Sequence, residues 1–497
     1  MKLIGAIDQG TSSTRFLVFD FDSWNIVASH QVEIKQIFPH PEWVEINPNE
    51  IVETVMDCIG IVMEKLGQVS NGCVKPLTVG IANQRETTVV WDRETGKALY
   101  NAIVWLDSRT SENSKHFISK TPSKSKDHFR KTTGLPIHPY FSALKLRWLF
   151  DNVEAVKAAR EKGTLMFGNV DTWLMWNLTG KHVTDVSNAS RTLLFDLRKA
   201  TWSTEMCDFF GIPLEILPKI CSSAEVYGHI NSGPLKGVPV SGILGDQQAA
   251  LVGHGCLKAG DIKNTYGTGT FMLCNVGDQV VFSEHGLLST VAFQMGKDAK
   301  IYYALEGSGS IGGNVIRFLR DNLQFFKNAS DCEQSATSVE STEGVVFVPS
   351  FTGLYSPYWD STARGALYGL TQFTKKSHIT RAALEAVCYQ SADILDAVVK
   401  DLPDGCKVRI FRVDGGMTKN VFFNQTQSDI IGRDVIVSRL LETTALGAAM
   451  AAAIGISDVT DLSIYSPRTD EKTRDKKLKT WRDAVQRSRN WEIGDDA

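Results

Sequence analysis

Ile4–Asp20, IGAIDQGTSSTRFLVFD, reads as a strand, a tight turn and a second strand. Ile4, Ala6 and Ile7 are apolar, and Phe16-Leu17-Val18-Phe19 is an apolar run of strand length. Between them stand Asp8, Gly10, the hydroxyls of Thr11, Ser12, Ser13 and Thr14, and then Arg15. Gly10 allows a sharp turn and a close approach of backbone to ligand. The N–H groups and hydroxyls of such a turn can surround phosphate oxygens. Asp8, at the strand's end, is placed to hold a hydrated Mg²⁺, and Arg15 to neutralise phosphate charge. No GK[ST] follows, so this is not a Walker A loop. Taken alone, the stretch could also be an ordinary hairpin with a polar turn.

Two later segments repeat the pattern. Ile262–Asn275, IKNTYGTGTFMLCN, has the turn Gly267-Thr268-Gly269-Thr270 between apolar strands. Val408–Asp414 is an apolar strand that runs into Gly415-Gly416-Met417-Thr418-Lys419-Asn420. A weak internal repeat is expected: two similar α/β lobes, each with a phosphate loop. The division falls near 245–258, which gives a first lobe over 1–252 and a second over 253–497. No long Pro/Ser linker separates them, so they should share a cleft. Three Gly/Thr turns in this order suit a nucleotide clamped between lobes, the third lying against its adenosine.

Local signals fill in the frame. Asn47-Pro48-Asn49-Glu50 is a helix start, with Asn47 as cap and Glu50 able to close a capping box. Ile51, Val55, Ile59, Val62 and Leu66 form its apolar face, and Gly67 is a plausible stop. Thr78–Ala82 is a buried strand that delivers Asn83-Gln84-Arg85-Glu86 at its C-terminal end, where ligands bind in open α/β sheets. Val89–Trp91 is another strand. Thr444–Ile456 is rich in Ala and too short to span a bilayer, so it reads as a buried helix. Between Arg468 and Trp491 the chain is densely charged, yet Leu478, Trp481 and Val485 keep the spacing of a docked helix.

Composition bounds the rest. The 497 residues suggest about two to four domains. A net charge of -3 argues against nucleic acid or anionic membrane as the main partner. Nine cysteines without CxxC pairs point to a reduced cytoplasmic chain with no zinc site. The N-terminus enters a strand directly with no signal pattern, and the terminal DDA is no recognised address. A homodimer or higher homo-oligomer is expected.

Several residues could carry chemistry. Asp246, in Gly245-Asp246-Gln247-Gln248 after a short apolar strand, can accept a hydroxyl proton as the hydroxyl attacks a γ-phosphate, or help orient Mg²⁺. It could equally be a helix N-cap. Arg85 and Glu86 together can bind several hydroxyls of a polyol, although most such dipeptides are surface ion pairs. Trp105 and Phe271 could wall a carbon chain, and Tyr140 could offer its phenol; plain core packing is the alternative for each.

Over nearly its whole length the chain resembles the glycerol kinases among the FGGY carbohydrate kinases, from DQGTSSTR at 8–15 to TALGAAMAA at 444–452. NQRETTVVWDRETGKALYNAIVWLDSRT at 83–110, VDTWLMWNLTG at 170–180, TDVSNASRTLLFD at 184–196, GDQQAALVG at 245–253 and NTYGTGTFML at 264–273 are specific to glycerol kinases. YFSALKLRWLFDN at 140–152 and GALYGLTQFTKKSHITRAALE at 365–385 fit the two general family signatures. The resemblance implies an actin-like ATPase fold, two ribonuclease-H-like lobes around a cleft, and ATP-dependent phosphorylation of glycerol to sn-glycerol 3-phosphate. It implies that Arg85, Glu86, Tyr140, Asp246 and Gln247 bind glycerol between the walls Trp105 and Phe271. It places Thr11, Ser12, Ser13, Arg15, Thr268, Gly313, Gly416 and Asn420 at the nucleotide, makes Asp246 the catalytic base and sets Asp8 near Mg²⁺. Arg317 stands near the nucleotide where bacterial relatives often carry Gln. Gly237, within NSGPLKGVPV at 231–240, stands where relatives regulated by fructose-1,6-bisphosphate place arginine. Another FGGY polyol or ketose kinase is the alternative within the family. A non-catalytic actin-like ATP switch is the alternative outside it.

Overall fold

The computed structural model describes residues 2–70, 74–351, 353–360, 362–438, 442–453, 462–465 and 471–488. The terminal DDA, residues 454–456 of the Ala-rich run, and the ends of the 468–491 segment lie outside them.

The opening hairpin is formed by β1 (Leu3–Gln9) and β2 (Ser13–Asp20), in register from Leu3↔Asp20 to Gln9↔Thr14. Strand β3 (Ile26–Glu33) pairs antiparallel with β2, and β4 (Thr78–Asn83) pairs parallel with β1. Strand β5 (Ala224–His229) forms the far edge, next to β6 (Pro239–Gly245), and the sheet order is β5-β6-β4-β1-β2-β3. Both faces of this sheet are covered, which is why the hairpin strands are apolar runs rather than alternating ones. Ile7, Phe16 and Val18 meet Ile51, Val55, Ile59 and Val62 of α1 (Pro48–Ser70) on one face. Ile4, Ala6, Leu17 and Phe19 meet Ala445, Ala448 and Ala449 on the other. Asn47 caps α1, accepting from the Asn49 N–H at 3.0 Å. The helix continues through Gly67, since a single mid-helix Gly costs only about 1 kcal/mol where the apolar face stays buried. Glu50 closes no capping box; it accepts from the Lys35 N–H at 2.9 Å instead. Val89–Asp92 stands outside the main sheet and pairs with Leu165–Gly168. It belongs to an insertion between β4 and β5 that has its own core, including Phe141, Leu144 and Leu146 around α2 (Ser142–Asn152).

After α3 (Asp246–Gly253) the pattern recurs. Strands β7 (Asp261–Tyr266) and β8 (Thr270–Gly277) form the second hairpin. Strands β9 (Leu288–Phe293) and β10 (Tyr302–Gly309) extend the sheet beyond β8. On the other side β11 (Ile410–Asp414) and β12 (Val435–Ser438) add parallel strands, with β13 (Leu462–Tyr465) at the edge. The order is β9-β10-β8-β7-β11-β12-β13. Each sheet contains three antiparallel neighbours with two more strands joined parallel beside the innermost: β3-β2-β1-β4-β6 in one, β10-β8-β7-β11-β12 in the other, where β9 is an additional edge strand. The expected repeat is therefore present at the level of topology.

The long helix α4 (Lys376–Asp401) backs the second sheet, and α5 (Glu471–Arg487) docks on it through Trp481 and Val485, both buried. The Ala-rich helix, Thr443–Ala453, follows β12 in the chain but packs beneath the first sheet and against α3. Only small residues permit that approach: a Cβ on Gly80 would strike the Ala448 carbonyl, one on Gly253 the Thr443 carbonyl, and one on Gly447 the Ala249 carbonyl.

Candidate active site

Arg85 follows the C-terminal end of β4, and Asp246 follows that of β6. These strands are adjacent and parallel, so both side chains project from one edge of the sheet. Arg85 Nε lies 3.3 Å from Asp246 Oδ1. Asp246 is the first residue of α3 rather than its cap; Oδ1 accepts from the Gln247 N–H at 2.8 Å and Oδ2 from the Gln247 amide at 3.2 Å. Its side chain remains about one quarter exposed, at 28%.

Arg85 and Glu86 do not pair with each other. Arg85 meets Glu306 on β10 end-on, with Nη1 at 2.5 Å and Nη2 at 3.0 Å, and Glu86 accepts from Arg191 Nε at 2.6 Å. Arg191 Nη2 also reaches Glu306, at 3.1 Å. All four are buried. Burial alone would push the Glu306 carboxyl up, but Arg191 and Arg85 outweigh it and bring it down to about 2. Burial raises the Glu86 carboxyl, opposed by Arg191 and Arg85. Glu86 also holds a left-handed backbone, φ 60°, which costs a non-glycine residue roughly 1–3 kcal/mol. Its carbonyl is gripped by the Ser142 hydroxyl at 3.0 Å, and Asn169 braces that hydroxyl at 3.0 Å.

An aromatic box stands beside these charges. Trp105 is edge-on to Tyr140 at 5.5 Å and to Phe271 at 5.9 Å. Its indole N–H donates to Thr11 Oγ1 at 2.8 Å, which ties the box to the first turn and leaves the hydroxyl's own proton to donate. Buried Lys145 donates to the carbonyls of Pro139 and Tyr140 at 2.6 and 2.7 Å, fixing the backbone that carries Tyr140. Burial pushes the Tyr140 phenol well above its ordinary value. Lys263 on β7, also buried, donates to Gln247 Oε1 and, at 3.1 Å, to Thr265.

The first turn closes with Gly10 N–H donating to the Ser13 carbonyl at 2.9 Å. Gly10 needs no left-handed backbone; a Cβ there would stand 3.2 Å from the Ser13 carbonyl, and that close approach is what asks for glycine. Ser12 and Ser13 face outward, whereas Thr14 turns inward to Gln9 and Thr54, at 2.9 and 2.7 Å. Arg15 is engaged by Glu442 at 2.8 Å and by Gln31 at 2.8 Å, with Asp8 3.6 Å away. Burial pushes the Asp8 carboxyl up to about 7; Arg15 opposes this, and Glu442 and Asp246 add to it.

The other two turns converge. Gly312 and Gly313 N–H donate to the Thr268 and Gly267 carbonyls, each at 2.8 Å, and Thr268 is exposed. Space beside Gly416 is open, with nothing within 4 Å of where a Cβ would stand. The Asn420 side chain caps Val421–Ile431, accepting from the Phe423 N–H at 2.8 Å. Arg317 lies at the rim, 73% exposed, next to Asp321 at 3.4 Å.

The structure thus brings together Arg85, Glu86, Trp105, Tyr140, Asp246, Gln247 and Phe271, with Asp8 and the three turns around them. Sequence reasoning missed Arg191, Glu306, Lys263 and Glu442. The signal was there for one: Glu306 is the single charge of an otherwise apolar or uncharged strand, Tyr302–Gly309.

Known proteins share this architecture. The N-terminal domain of the FGGY family of carbohydrate kinases matches residues 3–253, and its C-terminal domain matches 262–456. A probable glycerol kinase of Caenorhabditis elegans is 58% identical, covering 99% of this chain and 100% of its own. A probable glycerol kinase of Dictyostelium discoideum is 45% identical, covering 98% of each. The crystal structure of Plasmodium falciparum glycerol kinase with ADP superposes with a TM-score of 0.90 at 38% identity, over 98% of each chain. With both domains matched in order and identity sustained from end to end, the chain belongs to the FGGY family of carbohydrate kinases and has its actin-like ATPase fold.

Proposed function

We infer that this protein is a glycerol kinase that transfers the γ-phosphoryl group of ATP to a terminal hydroxyl of glycerol, giving sn-glycerol 3-phosphate and ADP. The observation that carries the reading is the Arg85–Asp246 contact of 3.3 Å at the sheet edge, beside a three-aromatic box and facing the Gly/Thr turns. Asp246 takes the hydroxyl proton as the O–P bond forms and the bond from γ-phosphorus to the bridging oxygen breaks. Arg85 and Glu86 hold the remaining hydroxyls as donor and acceptor, with Tyr140 and Gln247 beside them. Trp105 and Phe271 cover the carbon chain. Thr11, Ser12, Ser13, Arg15 and Thr268 receive the phosphates, while Gly313, Arg317, Gly416 and Asn420 line the nucleoside end.

Asp8 and Asp246 fit a Mg²⁺ ion. A buried carboxylate that burial and its neighbours make hard to ionise is stabilised by a divalent cation. Among the described residues no cluster of three acidic, His or Cys side chains forms a closed metal cage. Mg²⁺ sites built from one or two carboxylates plus phosphate and water oxygens need none. When bound, the ion neutralises charge on the transferring phosphates.

The proposed lobes are residues 1–252 and 253–497; the first sheet ends at Gly245 and the second begins at Asp261. A cytoplasmic setting is supported by the eight described cysteines, all free and seven of them buried. Among the described residues no helix is long and apolar enough to cross a membrane. The assembly is a homodimer or higher homo-oligomer, which sedimentation would test.

ADP release coupled to glycerol, glycerone, xylulose and erythritol tests the function. Turnover on glycerol far above the others is expected. A preference for xylulose would point to a different FGGY kinase, and ATP turnover indifferent to polyol would point to a switch.

A further inference from the structure

Glu86, Arg191, Glu306 and Arg85 form a row of alternating charge, at 2.6, 3.1 and 2.5 Å between successive partners. Their exposures are 1%, 0%, 0% and 3%, so each charge has been removed from water. Such a buried array is weak as a source of stability, because desolvation offsets most of the attraction. Its geometry is more informative. The planar Arg85 fork gives one N–H from each terminal nitrogen to Glu306, and Nη1 gives its other to Gln248 at 3.3 Å. That leaves the edge carrying Nε–H and the second Nη2 hydrogen, and this edge faces Asp246. Glu306 therefore sets which edge of Arg85 is presented to the site. Through Arg191 it also sets the rotation of the Glu86 carboxylate. Arg191 keeps Nη1 without a partner among the described residues, and its guanidinium stands 5.8 Å from the Tyr140 ring.

Three members of the row come from the first half of the chain and its insertion. Glu306 comes from β10 in the second sheet, three residues before that strand ends at Gly309. The chain then runs straight into Gly312 and Gly313, which hold the 267–268 turn. The C-terminal end of one strand thus carries the carboxylate that orients the polyol side and leads directly into the support of a phosphate turn.

We propose that Glu306 and Arg191 are positioning residues for the substrate hydroxyls, so that polyol recognition by Arg85 and Glu86 depends on a carboxylate supplied by the opposite sheet. This rests on the glycerol kinase reading. It makes Glu306 specific to polyol affinity, although the residue touches neither reacting atom.

The test uses Glu306→Gln, Glu306→Asp and Arg191→Lys in the full-length chain, with KM for glycerol and for ATP, kcat and thermal melting measured for each. For Glu306→Gln, a rise of at least about tenfold in glycerol KM is expected, with ATP KM changed less than about twofold, as for loss of a charge-assisted contact. Glu306→Asp keeps the charge and should recover part of the loss. Arg191→Lys, which cannot bridge both carboxylates, should also raise glycerol KM, and it carries the test if Glu306→Gln does not fold. A lower melting temperature with glycerol KM within about twofold of wild type would reduce the row to a structural brace and overturn the proposal. Equal losses for glycerol and ATP would do the same. Wild-type ADP release independent of glycerol would instead remove the underlying reading, and the two failures are distinguished by that control.

Discussion

Asp246 Oδ1 is held twice, by Arg85 Nε at 3.3 Å and by the Gln247 N–H at 2.8 Å, while Oδ2 meets only the Gln247 amide, at 3.2 Å. In the proposed mechanism the less encumbered Oδ2 receives the substrate proton. Asp246→Asn keeps the shape and the Oδ1 contacts but cannot take a proton. It should lower kcat by about a hundred- to ten-thousand-fold with an unchanged melting temperature. A purified variant with more than half of wild-type kcat would remove Asp246 from the role of base.

Glu86→Gln should weaken glycerol binding by roughly 1.5–3 kcal/mol and leave ATP binding intact, as titration calorimetry would record. Arg85→Ala is a different experiment. It leaves Glu306, fully buried, with Arg191 as its remaining guanidinium partner, and breaking a buried pair costs about 3–5 kcal/mol of stability. Its melting temperature should therefore fall along with glycerol affinity. A loss confined to ATP in either variant would contradict this placement.

Lys263 provides a pH signature. Burial pulls its ammonium down to about 8, opposed by Asp414 and Asp246. Below that pH the charged amine holds Gln247 beside Asp246; above it the charge is lost, and kcat should decline along a limb centred near 8. Stability runs the other way. The unfolded chain keeps its proton up to about 10.4, so between the two values it binds more protons and the native state gains as pH rises. Lys263→Met should abolish the kinetic limb. Identical alkaline limbs in wild type and variant would show that another group titrates.

Fructose-1,6-bisphosphate should not inhibit at millimolar concentration. Gly237 has no side chain to donate, and the cations beside it are exposed Lys236 and Lys75, the latter donating to the Lys236 carbonyl at 3.1 Å. Exposed lysines make screened point contacts, unlike the bidentate fork of arginine. Initial rates at low salt and several protein concentrations decide it. Half-inhibition below one millimolar, on the order of 4 kcal/mol of binding, would refute it.

Trp481→Ala should cost about 3–5 kcal/mol of stability. The indole is buried, stacks on Tyr389 at 5.6 Å and donates to Asp393 at 2.5 Å, so its removal leaves a cavity and takes one donor from a carboxylate that keeps Tyr358 and Arg482. Trp481 contacts Tyr389 and Asp393 rather than the proposed site residues, so kcat at low temperature should persist. Chemical denaturation with unchanged midpoint would show that Trp481 does not anchor α5.

Much of this architecture was legible because it is local. The hairpin at 4–20 and its echo at 262–275 announce themselves through apolar runs flanking Gly/Thr turns, and the helix faces of Ile51–Leu66 and Leu478–Val485 through their spacing. Gly67 misled because tertiary burial of α1 outweighs one residue's propensity. At the site, Arg85, Glu86 and Asp246 were readable as residues, but their partners were not. Glu306 is 221 positions from Arg85, and Arg191 is 105 from Glu86. No periodicity links such positions, since only the register of two sheets brings them together. For the same reason the contact of Arg15 with Glu442, 427 positions away, was not readable.

The Ala-rich helix beneath the first sheet has a consequence for biosynthesis. Ile4, Ala6, Leu17 and Phe19 leave the ribosome well before Ala445, Ala448 and Ala449, which cover them. For tens of seconds at ordinary synthesis rates of about 5–20 residues per second, the nascent sheet carries one bare apolar face. During that interval the polypeptide is a natural client for chaperones, and a ribosome stalled before codon 445 leaves a product that no amount of time allows to mature.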